Sequence, residues 1–265
     1  MNLFSRAGAA YLSPGLLTAG FTLGVGLASA RRVLHVTRRS RQLMDQLHLA
    51  LVKSLPMVLL VSFFIGMILA LQLGYELSRY GQEEAVGVAV AVAMAREMGP
   101  MMTAVLLAAG VASAMAAELG TMKVQEEVTA LEVMSVDVTS YLVVPRVFAL
   151  LIAAPILTLL SDAVGIIGGG IIAMTQLGIS FDAYLIKAVN ALEGDWGALP
   201  LPRSIYSGLA KAMVFGYVIA VIGCASGLRA TRGASGVGVS TRTAVRNSIV
   251  MIIVLNFFLG KLIYT

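Results

Sequence analysis

Read from the amino terminus, the chain alternates long apolar runs with short polar breaks, and most runs are too long for a soluble core. Pro56–Leu73 carries no charge and opens on a proline, which costs no hydrogen bond in the first turn of a helix. Its length approaches the roughly 20 residues a helix needs to cross a bilayer. A polar turn at Glu76–Glu84 then reverses the chain. The second run is built from Ala85–Ala95 and Met98–Ala117, interrupted by Arg96-Glu97 and by Gly99-Pro100, where an internal proline predicts a kink. Val143–Met174 exceeds one perpendicular crossing and holds Pro145, Pro155, Asp162 and Gly168-Gly169-Gly170, so a tilted or kinked third span is expected. A loop with Lys187, Glu193, Asp195, Trp196, Pro200 and Pro202 follows, with Trp196 suited to the membrane interface. Ser204–Leu228 and Thr243–Ile263 are the fourth and fifth spans, separated by the Gly- and Arg-rich segment Arg229–Arg242.

Two segments break this rhythm. In Met1–Lys53 the charges of Arg31, Arg32, Arg38, Arg39 and Arg41 are interleaved with Leu27, Val33, Leu34, Leu43 and Leu47, the pattern of an amphipathic segment lying on a membrane surface. The alternative is a short first span at Leu16–Ala30; the basic cluster follows that run, which argues against a cleaved signal peptide. In Glu118–Asp137, Val124, Val128 and Leu131 fall on one helical stripe, and Lys123 is spaced to pair with Glu126 or Glu127. This predicts a short cytosolic helix, either a plain surface helix or a plug for a partner's groove. The fold class is therefore all-α: a polytopic membrane bundle of about five transmembrane helices, with an N-terminal interfacial segment over 1–53 and a membrane domain over 54–265.

Composition agrees. Apolar residues make up 58% and charged residues 12% of the 265, and mean hydropathy is +0.90, so lipid is the solvent for most of the chain. The net charge of +5 does not indicate nucleic acid, because the basic residues cluster at the ends of apolar runs. Of the 19 Lys and Arg residues, thirteen fall on the side of the N-terminus, four (Arg79, Lys187, Arg203, Lys261) on the other, and two, Arg96 and Lys211, lie inside spans. That bias predicts an inner-membrane protein with its N-terminus cytosolic and its C-terminus periplasmic. Cys224, the single cysteine, sits in an apolar run and reads as a small core residue.

The candidate chemistry is sparse. No G-x-x-x-x-G-K-[ST] loop is present, so ATP-driven transport would require a partner to bind the nucleotide. Gly233-Ala234-Ser235-Gly236 matches a short protease pattern, but the two histidines, His35 and His48, precede the first span, and no metal motif appears. Arg96 and Glu97 lie between apolar halves, where a charge costs about 2.5–3.5 kcal/mol on insertion scales. They either form a polar site for a lipid headgroup or sit near the outer interface and pair locally. Lys211 and Asp162 pose the same question, with snorkelling the alternative for the lysine. An ion or proton path through Arg96, Glu97, Asp162 and Lys211 is the competing reading.

Several stretches resemble the MlaE family of ABC permeases: Arg96–Pro100, Ser113–Lys123, Ala130–Met134 with Asp137, Pro145-Arg146, and Gly236-Val237-Gly238 followed by Thr241, Thr243, Ala244 and Val245. The resemblance runs from about Lys53 to Phe257. It implies a phospholipid-transport permease acting as a homodimer, with two cytosolic ABC ATPase subunits that hydrolyse ATP and a periplasmic Mce-domain lipid-binding protein. No cofactor is implied in this chain. It places Arg96 and Glu97 near a lipid-holding cavity, with Lys211 assigned to the same site, and a coupling helix at Glu118–Val133. That assigns ATPase contact to Glu118, Lys123, Glu126, Glu127, Val128 and Leu131. The chain departs from the family pattern around Gly110, where an arginine is expected, at Glu127 in place of glutamine, and at Asn256 in place of aspartate.

Overall fold

The computed structural model describes residues 19–30, 40–193, 203–231 and 233–264, and these form helices with no strand among them. In chain order the helices are α1 (Ala19–Ala30), α2 (Ser40–Leu51), α3 (Leu55–Ser78), α4 (Val86–Ala93), α5 (Gly99–Leu107), α6 (Ser113–Val124), α7 (Glu127–Val133), α8 (Val144–Gln176), α9 (Phe181–Glu193), α10 (Arg203–Leu228) and α11 (Gly233–Tyr264). Five helical runs are long and apolar enough to cross a bilayer: Arg41–Ser78, Glu83–Val124, Thr139–Gln176, Arg203–Leu228 and Gly233–Tyr264. The expectations for Trp196, Asp195, Pro200, Pro202, His35 and the arginines at 31, 32, 38 and 39 lie outside the described residues.

Span 2 is one helical run, α4 to α6, with π-helical turns at Met94–Met98, just before the Gly99-Pro100 pair where a kink was expected, and at Ala108–Ala112. In the first, the Gly99 N–H reaches back five residues to the Met94 carbonyl. Pro100 has no N–H to donate, so the Arg96 carbonyl, which an α-helical residue 100 would satisfy, stays available to another group. Such bulges favour functional sites.

Packing is set by small residues. A Cβ at Gly66 on α3 would lie 1.8 Å from the Gly165 carbonyl oxygen on α8, so these backbones touch, as in other membrane helix pairs. Ser62 and Ser161 share a 2.6 Å hydrogen bond across the same seam. The main core joins Leu107, Leu119, Leu150, Leu157, Phe215 and Ile219. A second cluster, Val86, Val90, Met94, Ala173 and Tyr184, lies at the Glu84 end, where α9 covers α4 and α8. Tyr184 and Ala188 are the buried face of α9, and the Ser180 hydroxyl accepts the Ala183 N–H at 3.3 Å as its cap. The expected loop is therefore partly helix, because Phe181, Tyr184, Leu185 and Ala188 share one helical face.

Two further expectations are corrected. The segment Glu118–Asp137 is not one helix: α6 ends at Val124, Glu126 takes a left-handed φ of 62°, and a seven-residue α7 follows. The break removes the continuous stripe through Val124, Val128 and Leu131, and among the described residues Lys123 forms no ion pair with Glu126 or Glu127. The fifth span begins at Gly233, ten residues before Thr243, because Gly233 at φ 67° ends the turn and the small residues after it continue as helix. Helix α1, of which 12 residues are described, packs on α10, its Gly26 facing Tyr217 and Val221. Cys224 is buried and free, as expected.

Candidate functional site

Span 2 carries Arg96 and Glu97 into a cluster with α10 and α11. A Cβ at Gly208 on α10 would stand 2.1 Å from the Ala95 carbonyl oxygen, so this glycine lets α10 lie against the π-helical turn. One turn further along α10, the Lys211 side chain is fully buried. Its ammonium donates to Glu97 Oε1 at 2.5 Å and to the Arg96 carbonyl at 3.1 Å, the acceptor that Pro100 leaves available. Snorkelling is thus ruled out for Lys211: an ammonium with no access to water needs a charge partner, and Glu97 supplies it. Glu97 itself is 37% exposed, and its Oε2 accepts the Asn256 amide of α11 at 2.9 Å.

Arg96 points the other way along the bundle. Its Nε donates to Ser204 Oγ at 2.9 Å, and its guanidinium stacks 5.2 Å from the Tyr264 ring, the same ring that lies 5.2 Å from the Lys211 ammonium. Tyr264 Oη and Ser207 Oγ are 2.8 Å apart. Because Ser204 is the second residue of α10 and Tyr264 the last of α11, the cluster reaches from the mouth of these two helices to Asn256, about two turns inside. Of the sequence alternatives, the local pairing is what the structure displays, at the edge of the bundle.

The formal charge of Arg96, Glu97 and Lys211 sums to plus one. An aspartate at 256 would have cancelled it and set two carboxylates against one ammonium; Asn256 instead donates a hydrogen bond to Glu97. Sequence reading singled out Asn256 as a departure and missed it as a member of the site. Its 159-residue separation from Glu97 leaves no local signal.

Asp162 does not join this cluster. It is buried on α8, and Gly99 makes room for it: a Cβ there would fall 1.7 Å from Asp162 Oδ1, which has no hydrogen-bond partner among the described residues. Gly99 and Glu97 project from different sides of span 2, so Asp162 meets span 2 on another side than the Glu97 carboxylate.

At the opposite end of span 2, Glu118 bonds Arg146 at 2.9 Å. Arg146 is almost wholly buried and also donates to the Leu142 carbonyl at 2.5 Å, tying span 3 to the end of span 2. Asp137 caps the start of span 3, accepting the Thr139 N–H at 3.1 Å and the Ser140 hydroxyl at 2.8 Å. Of the residues assigned to a partner contact, Val128 is 2% exposed within this chain and Leu131 packs beside it on the core. The large apolar side chains that α7 leaves uncovered are Val133, 81% exposed, and the following Met134, 63% exposed. Ser235 of the short protease pattern lies in the first turn of α11, far in sequence from His48 on α2.

These features define a polytopic helical membrane protein with a paired charge cluster built into one mouth of its bundle. The family model described as Permease MlaE matches residues 43–262. A probable ABC transporter permease protein of Rickettsia bellii is 38% identical over 80% of this chain and 78% of its own length. One of Synechocystis sp. is 38% identical over 84% and 82%. The intermembrane phospholipid transport system permease protein MlaE of Haemophilus influenzae is 31% identical over 84% and 82%. The chain belongs to the MlaE permease family, and it is a membrane-embedded permease subunit of the ABC-transporter kind.

Proposed function

We propose that this permease moves phospholipid between the inner membrane and a periplasmic Mce-type lipid-binding partner, as a homodimer driven by separate cytosolic ATPase subunits. The observation that carries the reading is the net-positive cluster of Arg96, Glu97, Lys211 and Asn256 at a bundle mouth. A phosphodiester headgroup is anionic, and the guanidinium of Arg96 offers the planar donor set that suits phosphate oxygens. The buried Lys211–Glu97 pair holds the backbone of the π-helical turn, so that Arg96 is presented from a fixed base. The phospholipid named for the Haemophilus influenzae relative supports the same substrate class.

In this reading the end of the bundle with Glu118, α7 and Arg229 is cytosolic and the end with Glu84 and α9 is periplasmic, following the basic bias. ATP-driven motion enters through the connection between spans 2 and 3. The contact offered is Val133 and Met134 with the acidic edge of Glu126 and Glu127, while Val128 and Leu131 support it from within. The Arg146–Glu118 pair then carries displacement of this connection into spans 2 and 3.

Lipids retained by the purified permease test the substrate. Wild-type protein is expected to carry phospholipid identified by mass spectrometry, and Arg96→Gln, which leaves the Lys211–Glu97 pair in place, to carry about tenfold less. Equal retention by a well-folded Arg96→Gln variant would remove the headgroup role.

A further inference from the structure

The proposed transport does not use the cavity of about 400 Å3 at the other end of the bundle, where α1, α10 and α11 meet. It lies beside the end of span 2: a Cβ at Gly120 would stand 3.2 Å from Ala230 Cβ and 3.3 Å from Ser240 Oγ. The wall is rich in hydroxyls, including Ser226, Thr231, Ser235 and Thr243, and holds one cation, Arg229, with no carboxylate among the described lining residues. The volume is in the range of small-molecule sites. Arg229 is held at the mouth by stacking its guanidinium 5.8 Å from the Phe21 ring of α1. The first turn of α11 borders the same space through Ser235 and Gly236.

A cation among hydroxyls, without a competing acid, selects an oxyanion, and the surroundings select its source. Helix α1 leads away from the mouth along α10, with Gly26 against Tyr217 and Val221, and shows Leu23 (67% exposed) and Leu27 (63% exposed) outward. A soluble anion has no use for that apolar flank, whereas the acyl chains of a lipid would cover it. We infer that this cavity is a second lipid site, which seats the phosphodiester of a glycerophospholipid from the leaflet at the Arg229 end, with the phosphate on Arg229 and the acyl chains along α1. The inference is independent of the headgroup role of Arg96, which lies at the opposite end.

The test uses the full chain purified in dodecyl maltoside, a detergent without phosphate, and photoactivatable phosphatidylglycerol or diacylglycerol with the same acyl chains. Labelled peptides are mapped by mass spectrometry. Phosphatidylglycerol is expected to label the segment 225–243 and α1 about tenfold more than diacylglycerol does, the discrimination of a charge-assisted hydrogen bond. Arg229→Gln should lower that labelling to the diacylglycerol level, and Arg229→Lys should keep part of it. Labelling near Tyr264 should stay unchanged in both variants, which separates this site from the Arg96 cluster and reports an intact fold. Val239→Trp, at the cavity rim, should block labelling while Arg229 remains. Equal labelling by the two lipids, full labelling in Arg229→Gln, or displacement of phosphatidylglycerol by inorganic phosphate would each overturn the proposal, the last by making the site one for a soluble anion.

Discussion

A buried ion pair is asymmetric, and Lys211 and Glu97 show which side matters. Lys211 has no exposed side-chain surface, whereas Glu97 is 37% exposed and also holds Asn256. Removing the carboxylate by Glu97→Gln leaves an ammonium without a counter-charge, a loss of about 3–5 kcal/mol for a buried pair. Lys211→Met leaves a carboxylate that water reaches and that keeps its amide donor, so it should cost clearly less. Thermal unfolding in detergent should therefore rank Glu97→Gln as the more damaging, with the double variant milder than the two single losses added together. Equal effects would show that Lys211 has another route to charge compensation. Gly99→Ala is the second prediction at this scale: its Cβ would meet Asp162 Oδ1 at 1.7 Å. Because Asp162 is buried and the same Cβ would also stand 3.1 Å from the Met94 carbonyl oxygen, the substitution should lower the unfolding temperature, with an overpacking cost of about 1–3 kcal/mol.

At the scale of elements, the proposed coupling divides between buried Val128 and exposed Val133 what one stripe was expected to combine. Val133→Asp with Met134→Asp changes only exposed positions, so the permease should stay folded while the ATPase no longer co-purifies. Val128→Asp buries a charge in the chain's own core and should reduce folded permease in the membrane. Co-purification of the ATPase together with the yield of folded permease distinguishes the two; a bound ATPase in the Val133/Met134 variant would move the coupling contact elsewhere. The spans themselves were legible in the sequence because each is a long, predominantly apolar run bounded by Pro, Gly or charge, as at Pro56 and at Arg229 after Leu228. The break at Glu126 was not, since glutamate at φ 62° carries none of the glycine or asparagine signal of a left-handed residue. Helix α9 was hidden by its length and by the polar residues around it, although Ser180 and the spacing of Phe181, Tyr184 and Ala188 mark it in retrospect. Arg96, Glu97 and Lys211 were legible because a charge inside an apolar run has to be explained; Asn256, being neutral, raised no such question.

For the whole molecule, the charge cluster and the α7 connection lie at opposite ends of span 2, which in the proposed function gives lipid contact and energy input separate faces of the membrane. In a variant lacking Cys224, a cysteine at Val133 should react with an impermeant maleimide only after the cells are opened, and one at Glu84 should react in intact cells. The reverse pattern would invert the proposed orientation. The central claim is that the Arg96 cluster handles phospholipid during ATP-driven transfer. It is tested most directly by following a fluorescent phospholipid between proteoliposomes carrying the permease with its ATPase and the lipid-binding partner. Arg96→Gln should lower the ATP-dependent transfer rate by about tenfold or more, the loss of a charge-assisted phosphate contact, with assembly of the complex unchanged. Transfer at the wild-type rate by an equal amount of assembled Arg96→Gln complex would contradict the account.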